Sequence, residues 1–325
     1  MADKPKSSRR LANEWVLDLP KHESFKKNVR SHATNWFCTN KDHSYALHPK
    51  MSYCLEKQED WKKNIILAEV SEYIDQKRKD KEALKQFFPL HKYVHHGLSS
   101  QALVFNLIGP LIVRKDFQPL FNLLQKKNMI LNQTASEAEF EFEDSDIFNE
   151  KHGQPTSIDV VLFNENAKPF IFIESKFTEH EFGGCSVFSS GDCNGKNPAG
   201  QLSGCYLHHI GRKYWDLMDE FGFSKIIEKE KICVFVNYYQ FFREVLFSLK
   251  KNGVFTLLYD ERSPVFNYKG KGLMPFLMEF VPDEHKNKIT MISIQELVSE
   301  IELSDKHTDW IGKFKLKYGI AIFAI

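Results

Sequence analysis

The fold is decided by residues 137–177, which contain three short runs of apolar or alternating residues. The runs are EAEFEFE at residues 137–143, IDVVLF at residues 158–163 and FIFIESKF at residues 170–177. The first run alternates between Glu and an apolar residue, which is the two-residue period of a half-buried strand. The other two are apolar enough to be buried on both faces, and polar turn residues separate all three. These residues therefore predict three successive strands in a meander.

The second and third of these strands form a hairpin that brings charged side chains together. If Phe163 pairs with Phe170 across the loop, Asp159 lies directly opposite Glu174. Side chains alternate between the two faces of a strand, so Lys176 shares the face of Glu174. The hairpin thus predicts one cluster of two carboxylates and an ammonium group.

Two opposed carboxylates repel each other unless a positive charge lies between them. Lys176 supplies one such charge, and a divalent cation is the better one, since oxygen ligands suit Mg²⁺ or Mn²⁺. Asp159 and Glu174 are then metal ligands, and the backbone carbonyl of Ser175 is a candidate third. Lys176 is placed to position or deprotonate a nucleophilic water, or to neutralise charge on a phosphodiester. The alternative is a surface hairpin whose charges face water, which strands this apolar disfavour.

Composition excludes several other classes of protein. The chain has 325 residues, of which 42% are hydrophobic and 27% charged, as in globular rather than disordered proteins. The net charge of +1 gives no sign of a nucleic-acid partner, although basic groups need only line a groove. No apolar run reaches the ~18 residues of a membrane span, and the N-terminus lacks the apolar core of a secretory signal. We therefore expect a cytoplasmic protein without a membrane partner, whose six cysteines are reduced.

Helical patterns predominate on both sides of the meander. The elements predicted outside it are helices at 59–88, 100–108, 116–127, 206–221, 241–250 and 295–301, strands at 231–239, 256–259 and 289–294, and a long polar loop at 183–204. A terminal helix is expected to place Lys313, Lys315 and Lys317 on a solvated side. We interpret residues 1–90 as a helical N-terminal extension and residues 91–325 as one α/β domain.

The residues of the hairpin resemble the PD-(D/E)xK nuclease superfamily. Its pattern is an Asp on one strand and (Asp/Glu)-x-Lys on the next, and here Asp159 is followed by Glu-Ser-Lys at residues 174–176. Pro155 is displaced from the position directly before the Asp, which Ile158 occupies. The resemblance implies a restriction-endonuclease-like fold, with a mixed β-sheet core flanked by helices, and metal-dependent cleavage of phosphodiesters. It makes residues 91–325 the nuclease-like domain.

A wider similarity, over about residues 90–240, is to a poorly characterised bacterial branch of restriction endonucleases. The segments that contribute to it are SSQA at residues 99–102, followed by Asn106, and GRKYW at residues 211–215. This resemblance implies a restriction or defence role.

The superfamily resemblance also implies further site residues. Members often add an acidic residue upstream of the hairpin and a Gln or basic residue on the helix after it. Glu141 is the preferred candidate for the first role, with Glu143 as the alternative, and both equally fit solvated strand charges. Gln201 is the candidate for the second, because with Tyr206 it resembles the Gln-x-x-x-Tyr motif of exonuclease-like branches, with one residue too many.

Three cysteines surround the polar loop that follows the hairpin. Cys185, Cys193 and Cys205, with Cys233 or His208, are candidates for a Zn²⁺ or iron–sulfur site, as in cysteine-bearing relatives of the superfamily. Their spacings match no familiar site and no Cys-x-x-Cys pair is present, so free thiols are the favoured interpretation.

Together these features and the resemblance predict a Mg²⁺-dependent endonuclease that cuts double-stranded DNA. The resemblance also allows a homodimer, since many such enzymes dimerise to cut both strands, although no coiled-coil heptad or interface is visible in the sequence. One alternative is the same chemistry in recombination, repair or RNA cleavage. Another is a nucleic-acid-binding module that keeps the fold without turnover. The complete set of Asp159, Glu174 and Lys176 argues against the second alternative, because an inactive copy has no use for all three.

Overall fold

A computed structural model describes residues 22–39, 45–129, 133–153 and 155–320. Its strands form a two-stranded hairpin and a central five-stranded sheet. The hairpin strands are β1 (Leu47–His48) and β2 (Met51–Leu55). The central strands, in both chain order and spatial order, are β3 (Ala135–Glu143), β4 (Ser157–Asn164), β5 (Pro169–Lys176), β6 (Val254–Tyr259) and β7 (Ile289–Ser293).

The first half of the central sheet is the predicted meander. β3 pairs with β4 and β4 with β5 in antiparallel ladders, whereas β5–β6 and β6–β7 are parallel, so the sheet is mixed. Val160 pairs with Ile173, as the predicted register requires. The ladder then shifts, so that Phe163 pairs with Pro169 and the predicted pair of Phe163 with Phe170 is wrong. The shift falls at a proline, which has no backbone N–H to donate to a ladder.

Helices cover both faces of the central sheet and confirm the predicted α/β fold. They are α1 (His22–Thr39), α2 (Ala68–Ala83), α3 (Ser100–Leu107), α4 (Gly109–Val113), α5 (Gln118–Lys126), α6 (Ser186–Ser190), α7 (Tyr206–His209), α8 (Tyr214–Glu220), α9 (Phe223–Ile227), α10 (Phe235–Lys250), α11 (Leu273–Leu277), α12 (Asp283–Lys286), α13 (Ile294–Glu302) and α14 (Thr308–Tyr318). None of these helices combines the length and the apolar character that crossing a membrane requires.

Each face of the sheet has its own apolar core. Val160 and Ile171 pack into a cluster with α1–α5, α13 and α14. Phe172 and Phe255 pack into a second cluster with α8–α11. Because Ile171, Phe172 and Ile173 enter the two clusters in turn, the alternation along this strand decides which helices its charged residues meet.

The N-terminal part of the described chain packs into the first of these cores. Phe25 and Val29 of α1 share that cluster with apolar residues of α3, α4 and α5, so residues on both sides of position 90 contribute to it. The predicted boundary between an N-terminal extension, residues 1–90, and an α/β domain, residues 91–325, stays a prediction. Residues 1–21 and 40–44 of the predicted extension lie outside the described residues.

Helix α10 occupies a region for which the sequence pattern predicts a strand. The predicted strand at 231–239 is wrong, because the chain is already helical from Phe235 onward. Phe235, Phe242 and Val245 are all buried in the second cluster. A helix buried on several sides has a nearly continuous apolar run, which periodicity alone does not distinguish from a buried strand.

A lysine near the end of α14 is buried. Lys317 is 1% exposed, and Lys315 is buried as well, so the expected solvated face holding both with Lys313 is wrong. Residues two apart on a helix point about 200° away from each other, so the three cannot share one face. Lys317 Nζ donates to the backbone carbonyl of Asn64. It also lies 5.5–5.8 Å from the ring centres of Trp36, Phe37 and Tyr318.

Lys317→Met is expected to stabilise the fold by about 1–2 kcal/mol at neutral pH. Burial lowers the pKa of Lys317 well below its usual value, and methionine keeps the apolar stem without a charge. The Asn64 carbonyl keeps its hydrogen bond from Asn106 Nδ2, at 3.0 Å. At pH values between the lowered pKa of folded Lys317 and the ordinary lysine pKa, the unfolded chain binds one more proton than the folded chain. The stability of the wild type therefore rises with pH in this range, and the advantage of Lys317→Met becomes smaller.

Urea unfolding at about pH 6 and about pH 9 measures both effects. Lys313→Met, an exposed substitution on the same helix, is the control and is expected to change the free energy of unfolding little. A Lys317→Met protein that is less stable than wild type at both pH values contradicts the prediction.

Candidate active site

Three acidic side chains lie at one level across β3, β4 and β5. In the β3–β4 ladder, the residues on either side of Glu141 pair with those on either side of Asp159, so these two carboxylates share a level. In the β4–β5 ladder the last pair is Val160–Ile173, and the next level holds Asp159 and Glu174. The sheet thus brings carboxylates from three consecutive strands into one row.

Strands β4 and β5 separate at this row, and the Asp159 side chain bridges them. The backbone N–H of Ser175 donates to Asp159 Oδ2 at 2.8 Å, in place of a backbone acceptor. On the neighbouring strand Glu141 has φ of 53°, a left-handed conformation that residues other than glycine rarely adopt. Asp159 is partly exposed, whereas Glu174 is 3% exposed. Asp159 is therefore the most exposed of the three carboxylates in the row.

Glu174 and Lys176 lie on the face of β5 that α10 covers. Lys176 Nζ is 2.8 Å from Glu174 Oε1 and 2.7 Å from Gln240 Oε1. Gln240 Nε2 donates to Glu174 Oε1 at 2.6 Å, so the three side chains form a closed set of hydrogen bonds. Lys176 is only 5% exposed. A buried ion pair with a shared third partner is held in one geometry.

The charged groups of the cluster shift one another's pKa values. Burial and the charges of Glu174 and Glu141 raise the pKa of Asp159 well above its usual value, against the opposing effect of Lys176. Burial alone would lower the pKa of Lys176, but the charges of Glu174 and Glu244 outweigh burial and raise it. The cluster therefore holds an ammonium group and retains an excess of carboxylates.

Gln240 and Glu244 are site residues that the sequence analysis missed. They lie four residues apart on α10, which places both on the helix face toward β5. Glu244 is 1% exposed, and its Oε2 atom is buried without a hydrogen-bond partner among the described residues. Burial and the neighbouring charge of Glu174 raise the pKa of Glu244 well above its usual value. The i, i+4 spacing was the signal, but it has meaning only if the helix begins before Gln240.

Glu141 has hydrogen-bond partners of its own, separate from the set formed by Glu174, Lys176 and Gln240. Its carboxylate accepts hydrogen bonds from Gln101 Nε2, at 2.5 Å, and from Ser157 Oγ, at 2.9 Å. Burial and the charge of Glu174 raise the pKa of Glu141 to about 7, against these hydrogen bonds. Glu143, the alternative candidate, is two residues along the strand, beyond the level of Asp159. The structure thus places Glu141, rather than Glu143, in the row.

The oxygen donors of the row suit a hard divalent cation. Asp159 and Glu174 supply carboxylates, and the unpartnered Oε2 of Glu244 adds a buried oxygen nearby. Within residues 22–39, 45–129, 133–153 and 155–320, no three His, Cys, Asp or Glu side chains stand in the arrangement of a complete metal site.

A family model described as restriction endonuclease associating with ARP matches residues 30–319. The chain belongs to this family. The match covers every strand of the central sheet and both ends of the site, from Gln101 to Glu244. Comparisons with curated proteins and with solved structures found no significant match.

Membership in a restriction-endonuclease family identifies the chain as a nuclease, with nucleic acid as the class of substrate. The family match gives no roles for individual residues. The roles of Asp159, Glu174 and Lys176 therefore rest on the geometry and electrostatics of the row.

In this restriction-endonuclease family member, Gln201 lies apart from the hydrogen bonds of the row. It is exposed and precedes a short 3₁₀ turn, Leu202–Gly204. The hydrogen bonds of the described residues connect Lys176 and Glu174 with Gln240 instead. Gln240, rather than Gln201, is therefore the glutamine on a helix after the hairpin that contacts Glu174 and Lys176.

Four cysteines line one small cavity on the α10 side of the sheet. They are Cys185, Cys193, Cys205 and Cys233, and all four are free thiols. Burial raises the pKa of Cys233 to about 12, which disfavours the thiolate that binds metals. The part of the chain that the structure describes holds no complete metal site, here or elsewhere. A Zn²⁺ or iron–sulfur site at these cysteines remains a prediction.

Proposed function

We propose that the chain is a Mg²⁺- or Mn²⁺-dependent DNA endonuclease of the PD-(D/E)xK superfamily, with a cytoplasmic restriction or defence role. The observation that carries this proposal is the cluster of Asp159, Glu174 and Lys176, with Lys176 Nζ 2.8 Å from Glu174 Oε1. Burying charged side chains costs free energy of folding, and apolar residues at these positions would cost less. A buried cluster of charges therefore indicates a functional role. The restriction-endonuclease family supports the same chemistry.

The cluster divides the work of phosphodiester hydrolysis among its members. Asp159 and Glu174 would hold the cation, with the Ser175 carbonyl as a third oxygen. A cation bound there supplies Lewis-acid stabilisation of the charge that develops on the phosphodiester. Lys176 adds a fixed positive charge beside Glu174, and Gln240 orients both by bonding to each. Asp159 is the partly exposed member, so a phosphate would reach the cation from its side.

The purified protein is expected to cut duplex DNA in Mg²⁺ or Mn²⁺ and to cut no substrate in EDTA. The measurement is gel electrophoresis of plasmid, linear duplex, single-stranded DNA and RNA after incubation under each condition. Cleavage that persists in EDTA contradicts the metal-dependent mechanism. Cleavage of RNA alone favours the RNA nuclease, and DNA binding without cleavage in any metal favours the binding module. Light scattering of the protein with and without DNA tests the predicted homodimer.

A further inference from the structure

The segment between the middle of α2 and the start of α3 is strongly basic. Residues 77–93, which we call the basic rim, contain six Lys or Arg residues and two acidic residues. The cations are Lys77, Arg78, Lys79, Lys81, Lys85 and Lys92. Lys79 forms an ion pair with Asp75, just outside the segment, at 3.3 Å. In a chain whose net charge is only +1, the other cations still give a local excess of positive charge of the kind that attracts phosphates.

The basic rim also exposes large apolar side chains. Eight such side chains are exposed among the described residues, and three of them lie in the rim: Leu84 at 69%, Phe87 at 73% and Tyr93 at 46%. Phe88, next to Phe87, is instead buried and anchors the segment, with Lys81 Nζ 5.5 Å from its ring centre. Exposed apolar side chains grouped together mark a surface that binds something.

The basic rim is tied directly to the carboxylate row. Lys81 Nζ donates to the backbone carbonyl of Glu141 at 3.1 Å. Gln101 Nε2 donates both to Glu141 Oε1 and to the carbonyl of Pro89, the latter at 2.8 Å. Gln101 Oε1 accepts from the backbone N–H of His91 at 2.8 Å. The same glutamine thus joins the rim to Glu141, the member of the row on β3.

We propose that the basic rim is the surface that holds the nucleic-acid strand at the active site, and this inference rests on the proposed nuclease function. Its exposed cations, among them Lys85 and Lys92, contact backbone phosphates. The ring of Phe87 stacks on a base that has left the duplex stack. Cations interleaved with exposed aromatic rings are how proteins hold single strands, because every base offers a flat face to stack on. The partner is therefore a nucleic acid with an unpaired or unstacked base at the site.

Phe87→Ala is expected to weaken binding of single-stranded DNA about tenfold. The measurement is fluorescence anisotropy of a fluorescein-labelled oligonucleotide, as a single strand and as a duplex, with Ca²⁺ in place of Mg²⁺. Leu303→Ala is the matched control, because Leu303 is also exposed, at 76%, but directly follows α13, outside the basic rim. The Leu303→Ala variant is expected to bind DNA as tightly as the wild type. Since Phe87 is exposed, thermal unfolding of both variants should match wild type.

The phosphate contacts are tested by salt dependence. The double variant Lys85→Gln/Lys92→Gln is expected to reduce the slope of log K against log salt by about 1.4 for the single strand, from two lost contacts. The control is Lys229→Gln/Lys313→Gln, which removes the same charge from exposed positions elsewhere. Equal slopes for the two double variants would overturn the assignment of the phosphate contacts.

The outcomes separate this inference from the proposed function. If Phe87→Ala binds as tightly as wild type while Lys176→Ala loses cleavage, the basic rim is not the binding surface but the active site stands. If Phe87→Ala binds weakly while Lys176→Ala still cuts, the rim stands and the site assignment fails. Wild-type protein that binds neither the single strand nor the duplex overturns the rim proposal directly.

Discussion

Lys176→Ala is expected to lower the rate of DNA cleavage by about 10³-fold without loss of the fold or of DNA binding. The ammonium group of Lys176 lies 2.8 Å from Glu174 Oε1, beside the row of carboxylates. A charge fixed beside the reacting phosphate stabilises the transition state more than the bound substrate, so its loss affects the rate rather than the affinity. Glu174 keeps its hydrogen bond from Gln240 Nε2, which supports the local structure in the variant.

The measurement is single-turnover cleavage in Mg²⁺, with DNA binding measured separately in Ca²⁺. Lys168→Ala is the matched control, since Lys168 lies on the exposed loop of the same hairpin and is expected to leave the rate unchanged. Circular dichroism establishes that both variants are folded. Cleavage by Lys176→Ala at the rate of the Lys168→Ala control would remove Lys176 from the mechanism.

Much of this site follows from local rules of strand geometry. Alternation along β5 places Glu174 and Lys176 on one face, and the pairing of Val160 with Ile173 brings Asp159 to the same level. Neither inference requires knowledge of the rest of the fold. The wrong pairing predicted for Phe163 did not affect the site, because the register shift lies between Leu162 and Phe163. The pairs between this shift and Asp159 keep the predicted register.

The residues that the sequence did not predict come from elements distant along the chain. Gln240 and Glu244 lie 64 or more residues beyond Lys176, and they reach it only because α10 packs on the second face of the sheet. Gln101 reaches Glu141 across 40 residues in the same way. Such contacts depend on tertiary packing, which a single sequence does not encode as a pattern. The apolar run before Gln240 also concealed the helix that carries it.

Asp159→Asn is expected to lower the rate of cleavage by about 10³-fold or more. The same substitution is expected to stabilise the metal-free protein by about 1 kcal/mol. The asparagine keeps a side-chain oxygen that can accept the hydrogen bond from the Ser175 N–H, seen at 2.8 Å in the wild type. It removes the repulsion from Glu174 and Glu141 that, with burial, raises the pKa of Asp159. The Asp159 carboxylate therefore destabilises the metal-free protein, and a bound cation would offset its charge.

The sign of the pH dependence follows from that raised pKa. Well below the ordinary Asp pKa of about 4, Asp159 is protonated in the folded and the unfolded chain, so the asparagine brings no gain. As pH rises past the ordinary Asp pKa, the unfolded chain loses the proton before the folded one, and wild-type stability falls relative to Asp159→Asn. The gain of the variant therefore grows toward neutral pH.

Thermal unfolding in EDTA and in Mg²⁺ separates a metal ligand from a structural carboxylate. Mg²⁺ is expected to raise the Tm of the wild type and of Glu165→Gln, an exposed control on the hairpin loop, but not that of Asp159→Asn. A structural carboxylate would behave differently, because its loss would lower the Tm in EDTA and leave the Mg²⁺ shift intact. A Mg²⁺ shift that survives in Asp159→Asn would exclude Asp159 as a ligand, since a ligand must bind the cation. A lower Tm of Asp159→Asn in EDTA would instead contradict the predicted gain in stability.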